Sequence, residues 1–90
     1  MRLVAYDLTK KNEFNYQILW DELRRRGAVR IQESVWVIDL NNSCEEVRNH
    51  FAQFIHKDDR LFVCPVSNNW ASRNNMRGAT EFLHAHAIAA

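Results

Sequence analysis

The segment Arg2-Leu3-Val4-Ala5-Tyr6-Asp7-Leu8 predicts a buried β-strand at the start of the chain. Most of its residues are apolar or aromatic, as is typical of strands inside a sheet. A carboxylate interrupts this pattern at Asp7, and a charge so close to an apolar strand needs water, a cation or a hydrogen-bond donor. Asp7 is therefore the first candidate for a functional site. The structural alternative is that Asp7 begins a turn, as aspartate commonly does.

The composition is that of one small globular domain. The 90 residues are 47% hydrophobic and 26% charged, which argues against disorder. The net charge of +1 says little about partners, because nucleic-acid binding depends on clustered cations. No apolar run reaches membrane-spanning length and no secretory signal is evident, so we expect a cytoplasmic protein without a membrane partner. Cys44 and Cys64 lack metal-finger spacing and are expected to be reduced packing residues.

The region after the first strand predicts a helix and then a hairpin. Residues 13–26 carry apolar side chains at helical spacing, with Asn12 as the candidate N-cap and Gly27 as the stop. Residues 28–40 are rich in β-branched and aromatic side chains but are long for one strand. A break near Gln32-Glu33-Ser34, giving two strands in a hairpin, fits this length better.

The second half of the chain repeats the helix and strand. Ser43 and Glu46 form the sequence signature of a capping box, which predicts a helix that ends around His56-Lys57. Residues 60–66 predict a last strand, with Pro65 near its end because proline cannot donate to a ladder. Residues 80–90 are alanine-rich and predict a short or frayed helix.

The element order β-α-β-β-α-β predicts an α+β, ferredoxin-like domain over residues 1–66, followed by a C-terminal tail over residues 67–90. In this plan two helices cover one face of a four-stranded antiparallel sheet. The predicted strands do not alternate apolar with polar residues, so both sheet faces are expected to be buried. The two predicted helices cover only one of these two sheet faces. We expect a second copy of the chain to cover the other, giving a homodimer through the sheet; the alternative is that the tail from Trp70 folds back over it.

Three segments resemble the CRISPR-associated protein 2 family, across roughly residues 1–66. They are Tyr6-Asp7 at the end of the first strand, Gly27 with the segment Arg30-Ile31-Gln32-Glu33-Ser34-Val35-Trp36, and Asp59-Arg60-Leu61-Phe62-Val63. Asn15-Tyr16 and the Trp70-Ala71 tail are similar to the related SinR-like proteins, and the virulence-associated protein D toxins are more distant relatives. The resemblance implies a small ferredoxin-like dimer.

The resemblance also implies a site. It makes Asp7, Tyr6 and Arg30 the catalytic candidates, and two copies of Asp7 near the dimer axis would share a divalent metal, expected to be Mg²⁺. The family's aromatic residue after the second-strand arginine matches Trp36, which together with Trp70 is assigned to the dimer interface. Where many members carry arginines after the first strand, this chain has Lys10 and Lys11, which keep the charge without the guanidinium geometry.

Three functions remain open at this point. The first is a metal-dependent endonuclease that hydrolyses RNA or DNA in antiviral defence or spacer acquisition, with the cation activating water. The second is a non-catalytic adaptor that binds DNA and a CRISPR integrase, and the third is a toxin-like ribonuclease outside CRISPR. The expected nucleic-acid-binding residues are Lys10, Lys11, Arg24, Arg25, Arg26 and Arg30. The structural alternative for the three consecutive arginines is a solvated helix end that complements the helix dipole.

The histidines give little support for a separate metal site. His50 and His56 are six residues apart and do not share a helix face, which excludes a helical metal-binding pair. His84 and His86 in the tail can chelate a metal adventitiously, but partly exposed tail imidazoles are the simpler interpretation.

Overall fold

The computed structural model describes residues 1–86, and residues 87–90 of the expected tail helix lie outside this range. The elements are β1 (Arg2–Asp7), α1 (Gln17–Arg25), β2 (Val29–Gln32), β3 (Val35–Ile38), α2 (Cys44–Ala52), β4 (Arg60–Pro65) and α3 (Ala79–Ala85). The four strands form one antiparallel sheet in the order β2-β3-β1-β4. This order confirms the predicted ferredoxin-like α+β fold. Within the described part of the chain, no helix has the length and apolar character needed to span a membrane.

Strand β1 lies at the centre of the sheet and fixes which side chains share a face. Val4 is paired with Trp36 on β3 and with Val63 on β4. Because successive side chains of a strand point to opposite faces, Val4 and Tyr6 lie on one face, while Leu3, Ala5 and Asp7 lie on the other. The two faces are therefore chemically different along the same strand.

The helices α1 and α2 cover the face that carries Val4 and Tyr6. Leu19 and Leu23 of α1 and Phe51 of α2 are almost completely buried there. Together with buried strand residues they form the main core, and burial of such side chains stabilises the fold by about 1.5–3 kcal/mol each. Trp36, at 1% exposure, belongs to this core.

Helix α1 is shorter than predicted at its start. It begins at Gln17 and not at residue 13, and Asn12 is not its cap. The backbone N–H groups of Glu13 and Phe14 instead donate to the Lys10 carbonyl, which closes a separate turn before the helix. The predicted stop is confirmed, because Gly27 has a φ of 81°, in the left-handed region that glycine adopts readily.

The hairpin and the start of the second helix agree with the prediction, whereas the end of that helix does not. Strands β2 and β3 are separated by Glu33 and Ser34, as the expected break requires. Ser43 caps α2 through a capping box in which the Ser43 hydroxyl accepts from the Glu46 N–H at 3.1 Å. Helix α2 ends at Ala52, four residues before the predicted end at His56, and a turn carries the chain to β4.

The tail packs against one half of the second sheet face. Ala79 and Leu83 of α3 form a small core with Ile31 and Val37 of the hairpin, and Trp70 packs against it. The alternative in which the tail returns to its own sheet is therefore correct for the β2–β3 half. On the β1–β4 half the described residues leave Phe62 64% exposed, so that half stays open.

Candidate nucleic-acid interface

The phenol of Tyr6 is the centre of a hydrogen-bonded aromatic cluster on the helix-covered face. The indole N–H groups of Trp20 and Trp36 both donate to the Tyr6 hydroxyl at 3.0 Å. The same hydroxyl donates to the Glu33 carbonyl at 3.4 Å. A phenol has one proton and two lone pairs, so all its hydrogen-bonding capacity is used within the chain. Tyr6 therefore joins α1, β1 and the β2–β3 hairpin through its hydroxyl.

Two arginines lie over the aromatic rings of this cluster. The Arg24 guanidinium carbon is 5.4 Å from the Trp36 ring centre, and that of Arg30 is 5.7 Å from the same ring. Arg30 also lies 5.6 Å from the ring centre of Trp20. Such cation–π contacts contribute about 0.5–1 kcal/mol at exposed sites. Within residues 1–86 neither arginine forms an ion pair with a carboxylate.

Arg30 is further held by the turn of the hairpin. Its Nε donates to the Glu33 carbonyl at 2.8 Å, and its Nη2 donates to the same oxygen. This anchoring fixes the guanidinium on the surface while several of its N–H donors stay free. The positive charge is thus oriented without being neutralised.

The arginines Arg25 and Arg26 are bound to a buried carboxylate. Both contact Glu22, which is only 6% exposed and which also meets His50 of α2 at 2.5 Å. Hydrogen bonds from Arg25, opposed by burial and reinforced by His50 and Arg26, lower the pKa of Glu22 from 4.5 to about 2. Arg25 and Arg26 therefore mainly stabilise the packing of α1 on α2. Of the three consecutive arginines, these two are paired with a carboxylate, and Arg24 is unpaired within the described residues.

The two lysines after β1 also differ in whether a carboxylate lies close to them. Lys10 lies 3.9 Å from Asp58, whereas Lys11 lines a groove together with Trp20 and Arg30. Within the described residues Lys11 has no ion-pair partner. Of the six predicted nucleic-acid-binding cations, Lys11, Arg24 and Arg30 have no ion-pair partner within the described residues, and Lys11 and Arg30 border the same groove.

A half-buried carboxylate, Asp59, holds the loop that carries these lysines. Asp59 accepts hydrogen bonds from the Thr9 N–H at 2.7 Å, from the Tyr16 hydroxyl at 2.6 Å and from the His56 N–H at 2.8 Å. Burial by itself raises the pKa of Asp59, but these donors hold it below the usual value. Burial, together with the bond to Asp59, raises the pKa of Tyr16. The β1–α1 loop is thus fixed to the turn before β4.

Asp7 does not converge with the other predicted catalytic residues. Its side chain lies on the opposite face of β1 from Tyr6, and it pairs across the sheet with Arg60 at 2.9 Å. Both side chains of this pair are exposed to solvent. The predicted set of Asp7, Tyr6 and Arg30 therefore does not form one site within a single chain.

The donor set around Asp7 does not fit a metal within one chain. Among residues 1–86 there is no group of three or more His, Cys, Asp or Glu side chains arranged to hold a metal ion. The charged partner of Asp7 is a cation, Arg60, which competes with a metal for the carboxylate. In the tail, His84 stacks near Trp70, while His86 stacks on Phe82, so each imidazole packs on an aromatic ring.

The two tryptophans assigned to a dimer interface have different positions. Trp36 is buried in the main core on the helix-covered face, where it is 1% exposed in the single chain. Trp70 lies on the second face but packs against the small core formed with α3. A more exposed aromatic residue on that face, Phe62, was not among the expected interface residues.

The contacts made by Glu22, Asp59 and Trp20 were not predicted from the sequence. Glu22 precedes Leu23 on the buried side of α1, and its arginine partners follow three and four residues later. That spacing is a recognisable helical ion-pair signal. No comparable local signal marks Asp59, whose partner Tyr16 is 43 positions away in the sequence.

The comparison with protein families agrees with this architecture. The family model described as CRISPR associated protein Cas2 matches residues 1–74. The match includes all four strands, helices α1 and α2 and the Trp70 segment, and it ends before α3. No solved structure matches the chain significantly. The family match confirms the resemblance seen in the sequence, and the chain belongs to the CRISPR associated protein Cas2 family.

Proposed function

We propose that this chain is a nucleic-acid-binding adaptor of CRISPR adaptation that holds DNA without cleaving it. The observation that carries the proposal is the pair of arginines, Arg24 and Arg30, held over aromatic rings and free of carboxylate partners within the described residues. Lys11 adds a third free cation beside Arg30. A fixed cluster of this kind favours phosphate binding even though the net charge of the whole chain is only +1.

Arginine suits this task because its planar fork binds two phosphate oxygens at once. The Glu33 carbonyl positions Arg30 before any ligand arrives, so less side-chain entropy is lost on binding. The contacts involve backbone phosphates and not base edges, so we expect binding with little sequence preference. Such binding would suit a protein that handles fragments of varied sequence.

The arrangement of Asp7 favours an adaptor over a hydrolase. The carboxylate is separated by the sheet from Tyr6 and Arg30, and the Tyr6 hydroxyl is fully hydrogen-bonded. Metal-assisted phosphodiester hydrolysis requires a cation held by several oxygen ligands close to the phosphate. One chain offers a single carboxylate at this position, and Arg60 is bound to it.

A homodimer is part of the proposal. The open β1–β4 half of the second face carries Phe62, with Leu3 and Cys64 half-buried nearby. A large exposed aromatic residue beside other apolar side chains suits a partner surface, and a second copy would also multiply the phosphate contacts. A CRISPR integrase protein in the cytoplasm is the expected further partner.

A metal-dependent endonuclease is the second candidate, and one observation favours it. Asp7 and Phe62 lie on the same open face of the sheet, so dimerisation through that face could bring two Asp7 carboxylates together around Mg²⁺. The substrate would be RNA or DNA. A toxin-like ribonuclease related to the SinR-like proteins or to virulence-associated protein D is the form this activity would take outside CRISPR.

Nucleic-acid retention and cleavage measured together separate these functions. Wild type, Asp7→Asn and the matched strand-end variant Asp39→Asn are incubated with labelled DNA and RNA, with and without Mg²⁺, after dimer formation has been checked. We expect retention without cleavage by all three proteins. Mg²⁺-dependent cleavage that is lost only in Asp7→Asn would contradict the adaptor function and support the endonuclease. If wild type neither retains nor cleaves nucleic acid, both proposed functions are overturned.

A further inference from the structure

A groove beside Trp20 has features that phosphate binding alone does not use. It lies between the β1–α1 loop and the β2–β3 hairpin and has a volume of about 380 Å³. Aromatic rings of Phe14, Tyr16 and Trp20 line it, and Lys11 and Arg30 supply positive charge. We call this feature the Trp20 groove. Adjacent cations and aromatic rings are the combination that binds unpaired nucleotides.

We propose that the Trp20 groove binds one unpaired nucleotide at a single-stranded end of the bound nucleic acid. The base stacks against the Trp20 ring or the guanidinium plane of Arg30, and the phosphate contacts Arg30 and Lys11. This inference rests on the proposed function, because it places the end of a strand whose backbone the surrounding cations hold. The Trp20 groove would add a preference for nucleic acid with a single-stranded end, which contacts to backbone phosphates do not create.

The position of Arg30 supports this assignment. Its guanidinium lies over Trp20 and is fixed by the Glu33 carbonyl, so ring and cation are already arranged before a ligand binds. Bases stack on aromatic rings and on guanidinium planes alike, and the free N–H groups of Arg30 can still reach a phosphate. One anchored side chain thus serves both the base and the backbone.

The size and polarity of the groove favour one nucleotide over a duplex. A volume of about 380 Å³ is within the range of small-ligand sites, whereas a double helix is far too wide to enter. In a duplex the faces of each base are also covered by its neighbours. Asn15 and Gln17 line the groove and offer amide groups to a base edge. Glu33, the one acidic residue among the described residues of the lining, suits a base amino group and disfavours a second phosphate.

Binding of two matched DNA probes tests the proposal. The full chain is titrated, at each of two salt concentrations, against a labelled blunt duplex and against the same duplex carrying a single-stranded thymidine tail, with fluorescence anisotropy as the readout. We expect the tail to tighten binding at least about fivefold, the lower end of what stacking one base on an aromatic ring contributes. Trp20→Leu should abolish this preference, measured as the ratio of the affinities for the two probes, because any change at Arg30 that weakens its phosphate contacts affects both probes alike.

Trp20→Phe is the matched control, because both variants lose the indole N–H bond to Tyr6 but only phenylalanine keeps a ring. We expect Trp20→Phe to keep most of the tail preference, and Lys11→Ala, on an exposed loop, to reduce it without affecting folding. Equal wild-type affinity for the two probes, with binding still dependent on salt, would overturn this inference and leave the proposed function intact. A preference that persists in Trp20→Leu would also overturn it. Absence of salt-dependent binding to either probe would overturn both.

Discussion

Replacing Glu22 with glutamine removes the buried charge that joins α1 to α2. The lowering of the Glu22 pKa from 4.5 to about 2 corresponds to about 3 kcal/mol of folding free energy, at about 1.4 kcal/mol for each tenfold change. Because the folded-state pKa lies below the unfolded one, this stability is fully present above about pH 4.5. It disappears as the pH falls towards about 2. In a domain of this size the neutral-pH loss lowers the melting temperature by about 10–20 °C.

Urea unfolding followed by circular dichroism, at a series of pH values, measures this effect. The free energy of unfolding of wild type should exceed that of Glu22→Gln by about 3 kcal/mol at neutral pH, and the two should converge near pH 2. The matched control is Glu45→Gln, because Glu45 is an exposed helical glutamate 3.9 Å from Arg48, and such surface pairs contribute little. A difference that stays below about 0.5 kcal/mol at neutral pH, or one that does not change with pH, would refute the reasoning.

Three other substitutions test separate parts of the structure. Tyr16→Phe removes a donor to Asp59, and thermal unfolding should show a loss of about 1–3 kcal/mol, since a half-buried carboxylate loses a hydrogen bond. Ser43→Ala removes the capping-box acceptor of α2, and the same measurement should show a loss of about 1 kcal/mol. Phe62→Ser should weaken dimerisation in analytical ultracentrifugation while leaving the far-UV spectrum unchanged, because the ring is exposed in the single chain. Unchanged stability of Tyr16→Phe or of Ser43→Ala, or unchanged self-association of Phe62→Ser, would contradict the corresponding assignment.

Much of the fold could be predicted because local signals and the global plan agree. The Ser43 capping box, the Gly27 stop and the break between β2 and β3 are each encoded within a few residues. The start of α1 was predicted wrongly because long-range contacts decide it. Tyr16 bonds to Asp59 across the molecule, and the preceding residues form a turn instead of a first helical turn.

The relative placement of the predicted site residues could not be predicted as fully, for a reason visible in β1 itself. Adjacent residues of a strand point to opposite faces, so Tyr6 and Asp7 cannot approach the same substrate from one chain. Arg30 is among the residues predicted from the sequence, but its position over Trp20 and Trp36 depends on a packing that no local pattern encodes. Which arginines of the run 24–26 are paired with a carboxylate likewise depends on the burial of Glu22.

The dependence of duplex-DNA affinity on salt tests the central claim most directly. Each phosphate neutralised by a protein cation contributes about 0.9 to the slope of log affinity against log salt. Arg24→Gln and Arg30→Gln should each reduce that slope by about 1, while Arg48→Gln, on the outer surface of α2, should leave it unchanged. Equal slopes for wild type and for both the Arg24 and Arg30 variants would contradict the assignment of this surface to nucleic acid.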